Sequence, residues 1–286
     1  MAVLTGGVLV VKRSVVVVVV ALLLAGPSCS GGDDTAGSST TAKAATTTTT
    51  EEAGPGKVTV LVTNDDGVKA PGIDAIVSAL SIRDDLRVVV VAPAENQSGQ
   101  GGKTSPGPLT VTDTTTASGF PAKAVVGYPA DAVLWALGDG GIKPDLVVSG
   151  INAGQNVGPL VPLSGTVGAA RQAAQKGVPA VAASQGLADP PDYPTGVKAV
   201  LDWVDQHLAT LQQGKLPATE VTSINVPSCP GGKVQGTVVV PVATSSTADL
   251  NAVDCAGTAE PVDDVSAFTN GWIAVSELVP TGSKTQ

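Results

Sequence analysis

The sequence predicts an α/β fold in which a three-layer, doubly wound and mainly parallel sheet carries a β-rich C-terminal extension. Short β-branched runs alternate with segments whose apolar residues recur at helical spacing, beginning with the strand-like run 58–63 and the helical positions between Ile73 and Leu80. Beyond Pro227 the helical spacing stops and strand-like runs follow. Alternation of strands and helices is typical of a parallel sheet with helices on both faces, which is the reason for the prediction.

The first half of the predicted domain alternates strands with helices. Gly67, Pro71 and Gly72 separate the opening strand from the first helix, because glycine and proline interrupt periodic segments. Pro129 and Asp131 favour the first turn of a second helix, one through its fixed backbone angle and the other through its charge. The further segments predicted here are strands at 87–92, 109–115, 124–126 and 145–149 and a helix at 130–137.

The second half continues this alternation and then changes. A helix begins at the Ser-Gly-Thr segment 164–166 and ends at Gly177, which is followed by Pro179. The next predicted elements are a strand at 180–183, a helix at 195–211 and a strand at 221–226. The last two runs, 234–242 and 272–278, predict a hairpin-like extension that is available for oligomer contacts.

Residues 1–29 have the features of an export signal. Lys12 and Arg13 precede an apolar run of 11 residues at 15–25. This run is too short to span a bilayer comfortably, but it suits the apolar region of a signal peptide. We therefore expect the protein to be exported.

The segment GPSC, which ends at Cys29, resembles a bacterial lipoprotein cleavage box in which the cysteine receives lipid. Pro27 departs from the usual box, so plain secretion and an uncleaved anchor remain alternatives. Residues 30–56 are rich in Ser, Thr, Gly and Ala, a composition that predicts a disordered tether. The folded domain is therefore expected at 57–286.

Charge and cysteine count restrict the partners and the compartment. The net charge of −9 argues against a nucleic-acid surface, because such surfaces need clustered Lys and Arg. If Cys29 takes lipid, Cys229 and Cys255 are the cysteines that remain. In an oxidising compartment they predict a disulfide with Cα atoms within about 7 Å, and two free thiols are the alternative.

Polar side chains follow three predicted strands at the point where each strand ends. They are Asp65 and Asp66 after the first strand, Asn96 and Ser98 after the second, and Asn152 and Asn156 after the strand at 145–149. Since the carboxyl ends of neighbouring parallel strands meet at one edge of a sheet, we expect these side chains to converge on one crevice. Their oxygen atoms suit a hard cation such as Mg²⁺ or Mn²⁺.

Other residue types narrow the chemistry. Ser164 and Thr166 stand at a predicted helix start, where backbone N–H groups favour a phosphate. His207, the single histidine, lies in mid-helix, and neither Cys229 nor Cys255 has a histidine nearby in sequence. Serine and thiol hydrolysis are therefore disfavoured, which leaves metal-assisted hydrolysis. The Asn-Asp-Asp-Gly segment also suits a turn or a helix cap, so its residue types alone leave a structural role open.

Eight short motifs occur in order along the chain: NDDGV at 64–68, APG at 70–72, VAP at 91–93, NQSG at 96–99, GYPAD at 127–131, VSGINAG at 148–154, SGTV at 164–167 and INVP at 224–227. Taken together, these motifs resemble the SurE family of survival-protein 5′/3′-nucleotidases over about residues 58–278. The resemblance implies a SurE-like, Rossmann-like core and a hydrolase of the 5′-nucleotidase or acid phosphatase type. It also implies one divalent cation, Mg²⁺ or Mn²⁺, and a nucleoside monophosphate substrate attacked by metal-activated water.

The resemblance also implies roles for individual residues. Asp65 and Asp66 fall on catalytic and metal-ligand positions, and Ser98 and Asn152 fall on further metal-ligand positions. The positions near the phosphate are Asn96, Asn156, Ser164, Gly165 and Thr166.

Two departures from the family pattern leave alternatives open. Lys69 stands where the family usually has His, and Gln172 stands where it usually has Glu. A catalytically inactive SurE-like protein is therefore one alternative, and a tethered solute-binding lipoprotein is another. Family members are usually cytoplasmic, whereas this chain is expected to be a cell-envelope lipoprotein or a secreted protein. A homodimer or homotetramer is the expected assembly.

Overall fold

The computed structural model describes residues 56–281. The predicted export signal 1–29, its lipidation site Cys29, and all but the last residue of the predicted tether 30–56 lie outside the described residues. Among the residues that are described, no helix combines the length and apolar character needed to cross a membrane.

The described residues form one nine-stranded sheet with helices on both faces. The strands are β1 (Val58–Thr63), β2 (Leu86–Pro93), β3 (Thr110–Thr115), β4 (Pro121–Val126), β5 (Leu146–Ala153), β6 (Ala180–Gln185), β7 (Val221–Val226), β8 (Thr237–Val239) and β9 (Ile273–Leu278). The helices are α1 (Pro71–Ser81), α2 (Pro129–Leu137), α3 (Gly165–Gln175), α4 (Tyr193–Gln212) and α5 (Asp264–Thr269), and a 3-10 helix covers Gly158–Leu163.

The strand order places a topological switch point beside β1. The order is β3-β4-β2-β1-β5-β6-β7-β9-β8, and the six strands from β4 to β7 in this order are parallel. Strand β2 lies on one side of β1, and β5 lies on the other side. The loops after β1 and β5 therefore lead to helices on opposite faces of the sheet. Open α/β sheets bind ligands in the crevice that this divergence creates.

Two apolar layers fix the helices on the sheet, because alternate residues of each central strand point to opposite faces. On one face, Val60 and Val62 of β1 belong to the same buried cluster as Ile76 of α1 and Val200 of α4. On the other face, Leu61 lies in a second cluster with residues of α2 and α3. The predicted three-layer α/β fold is confirmed.

The prediction of a C-terminal hairpin is wrong. Strand β9 pairs antiparallel with β7, but β8 pairs parallel with β9. Parallel neighbours need a long crossover instead of a tight turn, and residues 240–272 provide it. This crossover contains α5, which was not predicted, and only three residues of the predicted run 234–242 form β8.

Two contacts hold this tail against the rest of the domain. Cys229 and Cys255 form a disulfide with Cα atoms 5.8 Å apart, which meets the distance expected from the sequence. The buried carboxylate of Asp264 accepts hydrogen bonds from the backbone N–H groups of Ala243 and Gly158, both at 2.8 Å. One side chain therefore joins α5 both to the tail and to the loop after β5.

Candidate active site

The turn after β1 presents two adjacent carboxylates at the switch point. The side-chain amide of Asn64 donates to the carbonyl oxygen of Gly67 at 2.9 Å, which closes the turn. Gly67 has a φ of +100°, and a Cβ atom there would lie 3.2 Å from the carbonyl carbon of Glu95. Glycine is required at this position because of both the backbone angle and the close approach of the loop after β2. Asp65 and Asp66 are thereby held against that loop.

Asp65 is almost fully enclosed, with 2% of its surface exposed. The hydroxyl of Thr166 donates to its Oδ1 atom at 2.7 Å. A Cβ atom on Gly165 would lie 2.8 Å from its Oδ2 atom, so the start of α3 packs directly on the carboxylate. Burial and, to a smaller extent, the charge of Asp66 raise the pKa of Asp65 to about 6, against the opposing effect of the Thr166 hydrogen bond.

Asp66 is held by loops that follow two neighbouring strands. Its Oδ2 atom accepts from the backbone N–H of Ala153 at 3.0 Å, and its Oδ1 atom accepts from the side-chain amide of Asn96 at 3.3 Å. Burial raises the pKa of Asp66, and hydrogen bonds from Ala153, Asn96 and Ser98 oppose the rise. The loops after β1, β2 and β5 therefore meet at this carboxylate, which is the convergence that the sequence predicts.

The predicted ligands Ser98 and Asn152 lie in the same crevice. The side-chain oxygen of Asn96 accepts from the backbone N–H of Ser98 at 2.9 Å, which orients the loop after β2. The side-chain amide nitrogen of Asn152 donates to the carbonyl of Gly154 at 2.6 Å. This bond uses the nitrogen of Asn152 and leaves its side-chain oxygen available as a ligand.

The oxygen-rich donor set fits a hard divalent cation. Four buried side-chain atoms of the described residues have no hydrogen-bond partner: Thr63 Oγ1 and Asn64 Oδ1 at the end of β1, Ser149 Oγ on β5 opposite Thr63, and Gln185 Oε1 at the end of β6. No group of three or more His, Cys, Asp or Glu side chains that could hold a metal occurs in the described part of the chain. A site here must therefore combine two carboxylates with hydroxyl and amide oxygens, a set that suits Mg²⁺ or Mn²⁺.

The structure does not bring every predicted substrate residue to the carboxylates. The side chain of Asn156 donates to Ser184 at 2.8 Å, and its backbone N–H donates to the side chain of Asn225 at 2.7 Å. These bonds direct Asn156 toward the ends of β6 and β7. Ser164 caps α3 by accepting from the N–H of Val167 at 3.1 Å, and the start of α3 packs against Asp65.

A cavity of about 220 Å³ lies along a face of α3 other than the one that packs on Asp65. Its lining includes Ser164, Gly168, Arg171 and Gln175, which follow one another at intervals of three and four residues. This stripe is turned by about a third of a revolution from the residues that face Asp65, given 100° per residue in a helix. Gln172 also lines this cavity, about two helical turns along α3 from the residues that pack on Asp65.

The second departure, Lys69, also points away from the carboxylates. Its ammonium group donates to the hydroxyl of Thr115 at 2.9 Å and to the carbonyl of Thr116 at 3.3 Å. Lys69 therefore links the loop between β1 and α1 to the end of β3.

Comparison with known proteins decides the family. A family model described as Survival protein SurE matches residues 60–249 of this chain. The chain belongs to the SurE family. The 5′-nucleotidase SurE of Nitratidesulfovibrio vulgaris is 37% identical to it over 244 residues, which cover 77% of this chain and 86% of the relative. The 5′-nucleotidase SurE of Brevibacillus brevis is 34% identical over 237 residues, which cover 77% of this chain and 89% of the relative.

A solved structure agrees with this assignment. The crystal structure of the SurE protein from Aquifex aeolicus superimposes with a TM-score of 0.65 at 29% identity, covering 79% of this chain and 95% of that one. The resemblance to the SurE family is confirmed. These relatives are hydrolases by name, which gives no support to a solute-binding lipoprotein.

Three contributions to this SurE-family site were not predicted. The N–H of Ala153 donates a hydrogen bond to Asp66, and the hydroxyl of Thr166 donates one to Asp65. Tyr193 packs against Gly72 beside the site. A backbone donor has no residue signature. The sequence does contain a signal for Tyr193. This residue comes just after the loop that follows β6, and that loop lies at the same edge of the sheet as Asp65 and Asp66.

Proposed function

We propose that this protein is a metal-dependent phosphomonoesterase that hydrolyses nucleoside 5′- or 3′-monophosphates. The observation that carries the proposal is the adjacent pair of the buried Asp65 and the half-buried Asp66, which meets the end of β5 and the loop after β2 at the switch point of the sheet. The names of the curated relatives support the reaction class.

The side chains divide the work between holding a cation and orienting a phosphate. Asp65, Asp66, Ser98 and Asn152 would hold one Mg²⁺ or Mn²⁺, which when bound polarises a phosphoryl oxygen and activates water. Thr166 fixes the orientation of Asp65, and Asn96 fixes that of Asp66. The start of α3, next to Asp65, presents the positive end of the helix dipole, which favours a phosphate there.

A panel of phosphate esters tests this function. The protein is incubated with nucleoside monophosphates, ribose 5-phosphate and glycerol 2-phosphate, with Mn²⁺, with Mg²⁺ and with a chelator. We expect turnover of nucleoside monophosphates that is lost with the chelator and returns with added cation. Unchanged turnover in the chelator contradicts metal dependence. Binding of nucleotides by calorimetry without turnover would favour the inactive alternative.

We also propose that the domain is exported and tethered through Cys29. The support is sequence alone: the basic residues Lys12 and Arg13, the apolar run at 15–25 and the Ser/Thr-rich segment at 30–56. We expect Cys29→Ser to lose lipid labelling and to accumulate at the mass of the uncleaved chain. Equal lipid labelling of both forms contradicts the proposal.

The proposed assembly is a homodimer or a homotetramer. The support is the family resemblance and the C-terminal extension, in which β8 forms one edge of the sheet. Light scattering of the purified protein is the test. A monomeric mass at micromolar concentration contradicts it.

A further inference from the structure

An exposed apolar surface lies directly beside Asp66. It is formed by Ala153 at the end of β5, by Leu187, Ala188 and Pro191 in the loop after β6, and, at the start of α4, by Tyr193, which is itself buried beneath the exposed residues. We call these five residues the apolar ledge. Leu187 is 67% exposed, although it is among the larger apolar side chains. A single exposed leucine needs no explanation, but this one stands at the carboxyl edge of the sheet among other apolar groups.

Contacts place the apolar ledge within reach of the candidate active site. The N–H of Ala153 donates to Asp66 at 3.0 Å, so one end of the ledge touches a proposed metal ligand. Leu187 Cδ2 and Asn152 Nδ2 each lie 3.9 Å from the same point, which is the position of a Cβ atom on Gly154. The two side chains are therefore separated by no more than twice that distance. At the other end, burial and the charge of Asp66 raise the pKa of Tyr193.

The volume of the cavity beneath the ledge limits which groups can enter it. The cavity at its floor has a volume of about 30 Å³. This volume holds about one water molecule, whereas pockets that enclose small molecules have roughly 300 Å³ or more. A planar ring is therefore too large to enter this cavity.

We propose that the apolar ledge binds the base of the substrate, with Leu187 as its main contact. This inference rests on the proposed function, because it requires a nucleoside monophosphate whose phosphate lies at Asp65 and Asp66. The separation between Leu187 and Asn152 is one that a single ribose spans. The base then covers apolar surface that the free protein exposes to water, which favours binding.

Comparing two substrates that differ only by the base tests the proposal. The variant is Leu187→Ser, and the substrates are adenosine 5′-monophosphate and ribose 5-phosphate, each with added Mn²⁺. We expect KM for the nucleotide to rise by roughly 5- to 10-fold, from the apolar contact area lost, while kcat stays unchanged. KM for ribose 5-phosphate should not change. Leu187→Phe should lower KM for the nucleotide alone, because it enlarges the apolar contact.

Ile82→Ser is the matched control, since Ile82 is 83% exposed and follows the last residue of α1, at the far end of that helix from the site. It should leave both KM values unchanged. An unchanged KM for the nucleotide in Leu187→Ser, or an equal rise for both substrates, overturns the ledge as a base site while the proposed function stands. A parent protein that hydrolyses neither ester contradicts the proposed function and the ledge with it.

Discussion

At the scale of single residues, the site contains two carboxylates whose charged form is disfavoured by burial. Burial raises the pKa of both Asp65 and Asp66, and the charge of Asp66 also raises the pKa of Asp65. A divalent cation held by these carboxylates would remove this penalty, because it would stabilise the charged form of both groups. Two adjacent carboxylates, one buried and one half-buried, are therefore better explained as cation ligands than as a helix cap. Asp65 and Asp66 in fact lie ahead of α1, which begins at Pro71 and has no side-chain cap.

Removing either carboxylate should abolish activity and preserve the fold. Asp65→Asn and Asp66→Asn each remove one metal-facing charge at the end of a strand while keeping the side-chain volume. We expect activity to fall at least about 100-fold, because loss of a mere supporting contact to a metal ligand already costs 10- to 100-fold. Asp113→Asn, an exposed carboxylate of β3 paired with Lys123, is the control and should stay active. Circular dichroism checks the fold, and substantial turnover in both site variants refutes the assignment.

Thr166 should act through Asp65 and not as a structural residue alone. Thr166→Val keeps the shape of this fully buried side chain but removes the donor to Asp65. We expect activity and apparent Mn²⁺ affinity to fall by about 10- to 100-fold. Thr166→Ser retains the hydroxyl and should recover most of both. If the valine and serine variants lose the same activity at unchanged Mn²⁺ affinity, Thr166 supports only packing.

The sequence predicts which polar residues come close together where the strand order alone positions them. Asp65, Asp66 and Asn96 follow strands of the central parallel set, Asn152 lies at the end of β5, and the structure brings them to one crevice. Asn156 also follows β5, but contacts to Ser184 and Asn225 decide where it points. Those partners are distant in sequence, so no local pattern reveals them.

At the scale of secondary structure, predictability follows burial. Strand β7 covers Val221–Val226 as predicted, because a strand buried on both faces is a continuous β-branched run bounded by turn residues. The six residues of α5 are too few to show a helical period, and the three-residue β8 lies at an edge with exposed residues. For such short elements, tertiary contacts decide the structure.

Asp264 should contribute more to stability than its neighbour Asp263. Asp264→Ala leaves the N–H groups of Gly158 and Ala243 buried without an acceptor, which should lower the free energy of unfolding by about 2–4 kcal/mol. Asp263 caps α5 through one bond to the N–H of Ser266 at 2.7 Å, so Asp263→Ala should cost about 1 kcal/mol. Urea unfolding of both variants is the measurement. Equal losses contradict the role of Asp264 as the link between the tail and the loop after β5.

At the scale of the whole molecule, the candidate active site and the disulfide lie at different places along one mainly parallel sheet. The carboxylates lie at the switch point near the middle of the sheet, whereas the disulfide closes the tail between β7 and α5. Aromatic residues make up only 2% of the chain, so the tail has few large side chains with which to bury apolar surface. A covalent link there compensates for a sparse core.

Loss of the disulfide should lower stability and leave turnover intact. Cys229 and Cys255 are 26 positions apart, and closing a loop of this length contributes about 3.5 kcal/mol in the chain-entropy model. For a domain of this size we expect Cys229→Ala/Cys255→Ala to lower Tm by roughly 7–14 °C, with kcat unchanged at a temperature where both proteins are folded. Calorimetry with and without reductant provides the control, because reductant should lower Tm of the parent and leave the double variant unchanged. A parent whose Tm does not respond to a reductant that frees two alkylatable thiols contradicts a stabilising role for the disulfide. A fall in kcat together with Tm would show instead that the tail shapes the loop after β5 through Asp264.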